Sequence, residues 1–153
     1  MSRCTRSLLT AAFALLAVGT ARAQAVPDLS GTWKLDPARS DFGPAPAQQR
    51  TEAIDHREPR LVVERTIDGT VGTLTYVVDG KPHQNSFGGG MSTSTLAWDG
   101  KVLVMTSEVQ SGQGPVKIVD RFALSEDGKA LTIARAVDYP GQPFNQTLVF
   151  AKQ

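Results

Sequence analysis

From residue 61 to residue 151 the chain alternates apolar and polar side chains in short runs, and Asp-Gly pairs break the runs at intervals. Strict alternation is the period of a half-buried strand, and Asp-Gly between two such runs is a strong hairpin signal. The pattern predicts strands over 61–67, 70–78, 81–87, 93–98, 101–109, 117–124, 130–137 and 144–151. Asp68-Gly69, Asp79-Gly80, Asp99-Gly100 and Asp127-Gly128 are the turns, with further bends at Gly88-Gly89-Gly90, 111–115 and 139–143. A short strand over 28–36 and an extended stretch over 52–57 precede them. Residues 37–49, with Pro37, Pro44 and Pro46, form an irregular connection or cap in which only 38–42 has room for a helical turn. No connection suits a parallel crossover, so the fold class expected is all-β, an antiparallel up-and-down meander of about ten strands. Closure removes both exposed edges, which favours a closed or nearly closed barrel over a two-sheet sandwich.

The turns serve as rulers for register. Two-residue turns set Leu124 opposite Leu131, Phe122 opposite Ile133 and Asp120 opposite Arg135. They likewise set Leu61 opposite Tyr76, Val63 opposite Leu74 and Arg65 opposite Gly72. The same rule places Tyr76 opposite His83 and Leu74 opposite Asn85. The face holding these large apolar groups is the inner one. It also carries Arg65, His83, Asn85, Asp120, Arg135 and Gln146, too much polarity for a plain core. Around Asp99-Gly100 the inward set stays open: Leu96, Trp98, Leu103 and Met105 compete with Ala97, Val102 and Val104.

Composition alters this picture mainly at the N-terminus. Arg3 and Arg6, an apolar run over 8–18 and Ala21-Arg22-Ala23 have the anatomy of a secretory signal peptide over 1–23. One domain over 24–153 is then expected in the periplasm or outside the cell. Cys4 is the only cysteine, so the exported chain has neither a disulfide nor a thiolate metal site. Without Arg3, Arg6 and Arg22, 13 basic residues face 15 acidic ones, a net charge of −2 that disfavours nucleic acid as a partner. No later run is long enough to span a bilayer as a helix; nothing in the pattern indicates an oligomeric state.

Catalytic and metal motifs are missing. There is no Gly-x-Ser-x-Gly, His56 and His83 lack metal-ligand spacing, and Gly88-Gly89-Gly90 does not lie between a strand and a helix. No cofactor is implied. Asp120 and Arg135 can satisfy each other, as a structural pair or as part of a site. Arg65 has no acidic mate on the predicted face, so it either reaches solvent or waits for an acidic ligand in a wet interior. The expected function is therefore binding of a small hydrophobic, amphipathic or acidic molecule, with Arg65, Tyr76, His83, Asn85 and Gln146 orienting its polar end. An envelope interaction module with a filled barrel is the alternative. A small hydrolase or isomerase using His83 with Asp120 is the third.

Gly31-Thr32-Trp33 resembles the Gly-x-Trp opening of the calycin superfamily, which comprises lipocalins and intracellular fatty-acid-binding proteins. One strand, an interruption and a nine-strand meander extend the resemblance over the whole exported chain, which is also similar to small exported bacterial lipocalin-like proteins. The resemblance implies a barrel with a small-molecule cavity, in which Trp33 closes the floor against Arg121 or Arg135. Two departures stand out. The helical lid is reduced to residues 37–49, and the Arg-x-Tyr that holds a fatty carboxylate on the last strand is replaced by Leu148-Val149-Phe150.

Overall fold

A computed structural model of the protein describes residues 25–153; the expected signal peptide, 1–23, lies outside the described residues. Ten strands run in chain order: β1 (Gly31–Leu35), β2 (Arg50–Arg57), β3 (Arg60–Ile67), β4 (Thr70–Val77), β5 (Pro82–Phe87), β6 (Gly90–Asp99), β7 (Val102–Ser111), β8 (Gly114–Leu124), β9 (Ala130–Asp138) and β10 (Phe144–Lys152). They form one antiparallel sheet in the order β4-β3-β2-β1-β10-β9-β8-β7-β6-β5. The sheet rolls into a nearly closed barrel in which β1 bridges β2 and β10. Between β1 and β2 the chain makes one 3-10 turn, Pro37–Arg39, which starts on Pro37 and is capped by Asp36 Oδ1. It then runs beside β10, where Asp41 and Thr147 exchange backbone hydrogen bonds of 2.7 and 2.8 Å.

The Asp68-Gly69 and Asp127-Gly128 registers hold: Val63 faces Leu74, Arg65 faces Gly72, Phe122 faces Ile133 and Asp120 faces Arg135. Asp68 and Gly69 both take positive φ, as a type I′ turn requires. At Gly128 only the glycine does, after a turn closed by Gly128 N–H to Ser125 O. The pairing survives because both loop forms are centred on the same two residues. At Asp99-Gly100 the turn moves along by one: Asp99 pairs with Val102, and Gly100 takes the first central position with φ of 61°. That puts Leu96, Leu103 and Met105 in the core, with Trp98 packed against it.

The β4–β5 register is corrected by the structure. These strands are the two ends of the sheet order and share no backbone ladder. Asp79 Oδ1 takes the Lys81 N–H at 2.9 Å and His83 Nε2 at 3.0 Å, and Pro82 brings no N–H, so the strands splay instead of zipping. The Asn85 amide bridges the gap, accepting from Thr75 N at 2.8 Å and donating to Thr75 O at 2.9 Å. Above it the Phe87 ring lies over Gly72, where a Cβ would come within 2.8 Å of the ring.

The floor half of the barrel is dry. Trp33, Leu96, Leu103, Leu148 and Phe150 have no solvent exposure, and Leu131 and Ile133 have 1%. Trp33 Nε1 donates to Leu29 O at 2.9 Å. The cation over its ring is Lys152, whose Nζ lies 5.2 Å from the centroid, and not Arg121 or Arg135. Gly31 explains the glycine of the opening motif: a Cβ there would meet Lys152 Cε at 2.7 Å, so its absence lets the lysine stem pass to the indole. Arg121 is instead on the outside, 2.7 Å from Asp99 Oδ2.

Candidate functional site

Above the packed floor the interior carries a belt of charge. Alternation along β2 turns Arg50 and Glu52 inward, both 3% exposed, and β3 contributes Arg65. Glu52 faces Arg65 across the β2–β3 ladder. Its Oε1 accepts from Arg65 Nε at 2.8 Å and also from Arg50 Nε, while Oε2 lies 3.4 Å from Arg65 Nη2. The missing acidic mate of Arg65 is therefore Glu52. On the opposite wall Asp120 Oδ1 and Oδ2 accept from Arg135 Nε and Nη2 at 2.7 and 2.8 Å, and Asp120 is 1% exposed.

The belt holds three guanidiniums against two carboxylates, an excess of one positive charge. Burial pushes the Glu52 carboxyl up, but Arg50 and Arg65 override it and hold it below its usual range. Arg65 and Arg135 resist the downward pull of burial because Glu52 and Asp120 sit against them, and both end above the usual arginine value. Arg50 gives way: burial, with further repulsion from Arg65 and Arg135, lowers it to about 10, still charged at neutral pH. Its Nη2 is buried against Glu52 Oε1 as an ion pair without a well-aligned hydrogen bond, and its Cζ sits 5.4 Å from the Phe150 ring centroid. Burial raises the Tyr76 hydroxyl, which stays protonated as a donor.

A cavity of about 210 Å³ lies between this belt and the barrel mouth. Arg65, Tyr76, Asp120 and Arg135 line its inner end; Phe87, Met91, Val109 and Ile118 are among its apolar lining. Arg65 and Arg135 both grip their carboxylates through Nε and Nη2, so each leaves its Nη1 edge uncommitted. The Arg65 Cζ also lies 5.8 Å from the Phe87 ring centroid. A second cleft of about 300 Å³ lies at the top of β1–β3, bordered by Lys34, Pro37, Gln49, Arg50, Thr66 and Asp68; Asp68 there is committed to the Gln49 amide at 2.8 Å. The interior cavity brings three of the five belt side chains together, Arg65, Asp120 and Arg135, whereas the second cleft borders Arg50.

The other residues singled out in the sequence lie elsewhere. His83 is bound to Asp79, away from Asp120, so the pair needed for a His83–Asp120 reaction is not formed. Asn85 laces the β4–β5 gap, and Gln146 Nε2 donates to Phe42 O at 2.9 Å, tying down the lid segment. His56, at the floor, accepts the Leu29 N–H on Nδ1 at 3.2 Å, so Nε2 carries the proton toward Glu58 Oε1, which also takes Trp98 Nε1–H at 2.6 Å. Among the described residues no cluster of three or more His, Cys, Asp or Glu side chains is arranged to hold a metal. No helix among them is long and apolar enough to cross a membrane.

No family model and no curated protein matches the sequence. Solved structures do match the fold. A secretory abundant heat soluble protein 4 from Ramazzottius varieornatus superposes with a TM-score of 0.65 at 12% identity, over 86% of this chain and 99% of its own. Lipid binding protein 8 from Caenorhabditis elegans gives 0.62 at 10% identity, over 82% and 95%. A protein described as the REP1-NXSQ fatty acid transporter gives 0.59 at 13% identity, over 82% and 96%. The chain has a calycin-like barrel fold. At such identities the likeness speaks for the backbone alone, and the site must be judged on its own residues.

Proposed function

We propose that the protein is an exported binder of a small amphipathic anion, held inside the barrel with its charged end on the belt. Support for export comes from the N-terminal pattern of residues 1–23. Support for binding in general comes from lipid- and fatty-acid-named neighbours of the same fold. The observation that carries the proposal is a cavity lined by two guanidiniums, Arg65 and Arg135, and one carboxylate, Asp120, with the Nη1 edges of both arginines uncommitted along its inner end. A carboxylate or similar anion there neutralises the excess and takes the free donors. The Tyr76 hydroxyl, for which no protein hydrogen bond is found among the described residues, adds a neutral donor. Phe87, Val109 and Ile118 cover the apolar part.

Isothermal titration with hexanoate, beside hexanol as the uncharged match, tests this. The acid is expected to bind at least tenfold more tightly than the alcohol. Arg65→Met is expected to remove most of that difference, and Tyr76→Phe to weaken acid binding about fivefold, near 1 kcal/mol for one hydrogen bond. Equal affinity for acid and alcohol, or an unchanged affinity in Arg65→Met with its fold intact, refutes an anion site at the belt.

A further inference from the structure

We infer that the site selects short acids and cannot enclose a long acyl chain. This rests on the proposed anion site and names its substrate class. A barrel holds a long chain only if its lower interior is empty, and here it is filled. Leu96 and Leu103 below the belt are fully buried, Phe122 beside them is 8% exposed, and Trp33, Leu148 and Phe150 fill the opposite wall. The charged belt lies above this core, where Arg65 and Arg135 are each held by the carboxylate facing them on the neighbouring strand, Glu52 and Asp120. The space left is about 210 Å³. At roughly 30 Å³ per water-sized group that admits about seven such groups, and drug-sized pockets begin near 300 Å³.

Orientation follows from the same lining. Going from the Gly100 turn toward the mouth, β7 presents Leu103, Met105, Ser107 and then Val109 inward, and the paired β8 presents Phe122, Asp120 and Ile118. Charge thus sits at the inner end and apolar side chains sit toward the opening. A carboxylate on the belt leaves its chain pointing outward, past Phe87 and Ile118. Carbons beyond about the sixth emerge into solvent. Each enclosed methylene contributes about 0.8 kcal/mol, roughly a fourfold gain in affinity, and each emerging one contributes almost nothing.

Titration calorimetry of the wild-type protein with straight-chain acids of 4, 6, 8, 10, 12 and 16 carbons, each below its micelle concentration, reads this directly. Affinity is expected to climb about fourfold per carbon and to level off at or before eight carbons. A continued climb from eight to sixteen carbons overturns the short-acid inference while leaving the anion site standing. Absence of binding for every acid in the series overturns the anion site itself, and the inference with it. Benzoate, with a ring in place of a short chain, is expected to bind within tenfold of hexanoate; failure to bind while hexanoate does would overturn the inference that the cavity takes short acids as a class.

Discussion

Glu52→Gln is the sharpest test of the belt. Glu52 has 4% side-chain exposure and is the carboxylate against which both Arg50 and Arg65 are set. The amide keeps the shape but removes the charge, so two buried cations lose their partner and the interior excess grows from one to two. Breaking a buried ion pair from one side costs about 3–5 kcal/mol, because the remaining charge is left desolvated. For 129 described residues, unfolding entropy of about 2.1 cal/mol/K per residue gives roughly 0.27 kcal/mol/K, so the melting temperature should fall by about 11–18 °C. Circular dichroism melts of both proteins measure this. In the Glu52→Gln background, Arg65→Met is expected to cost less than in the wild type, since the arginine it removes has already lost its counter-charge. A fall of less than about 4 °C, near 1 kcal/mol, would refute the claim that this pair is dry and mutually dependent. Strictly additive effects of the two substitutions would refute it as well.

Acid should act through the same carboxyl. Burial tends to raise Glu52 above its ordinary 4.5, but Arg50 and Arg65 hold the folded-state value lower. A lowered folded value means its contribution is complete above about pH 4.5 and is lost as pH falls through the folded value. The urea midpoint is thus expected to stay level down to about pH 5 and then drop, with part of the drop missing in Glu52→Gln; parallel curves would contradict this assignment. Gly72→Ala and Gly90→Ala form a matched pair, since neither glycine has positive φ. A Cβ at Gly72 meets the Phe87 ring at 2.8 Å, whereas at Gly90 the nearest atom is 3.5 Å away. Urea unfolding should show Gly72→Ala losing about 1–3 kcal/mol and Gly90→Ala within about 1 kcal/mol of wild type, and the reverse order would rule out the packing role given to Phe87.

Most of the barrel was legible because alternation and Asp-Gly turns are local signals with few competing solutions. Two registers set by those turns hold residue for residue, including Asp120 opposite Arg135. The β4–β5 gap was not legible, since an Asp-Gly pair reads the same whether its carboxylate supports a tight hairpin or, as at Asp79, gathers Lys81 N–H and His83 and splays the strands. The larger omission was Glu52. Along β2 the inward residues Arg50, Glu52, Ile54 and His56 are scarcely more apolar than Thr51, Ala53 and Asp55, so hydrophobicity alone cannot choose the face. A signal was present all the same: reading Glu58-Pro59 as a two-residue turn sets Glu52 opposite Arg65, the register found. Lys152 over Trp33 had no comparable signal, because it depends on how β1 meets β10 across the barrel seam.

The belt is hard to explain by stability. Replacing a buried ion pair with apolar side chains of similar volume is often neutral or stabilising by about 1–4 kcal/mol, so five charges in mid-barrel are a poor way to hold a fold together. Register is not the reason, because the Asp68-Gly69 and Asp127-Gly128 turns and the apolar pairs Val63–Leu74 and Phe122–Ile133 already specify it on both walls. Nor is the charge balanced, as a purely structural network would favour: Arg50 and Arg65 share the single carboxylate of Glu52, and burial lowers the affinity of Arg50 for its proton. Two guanidiniums, Arg65 and Arg135, line the cavity with one carboxylate, Asp120, an arrangement that an entering anion relieves. Ligand binding should therefore raise thermal stability by more than apolar contacts alone would supply. A short acid and its matching alcohol, compared at equal occupancy, separate the two contributions: equal stabilisation by both would leave the belt without a functional reason.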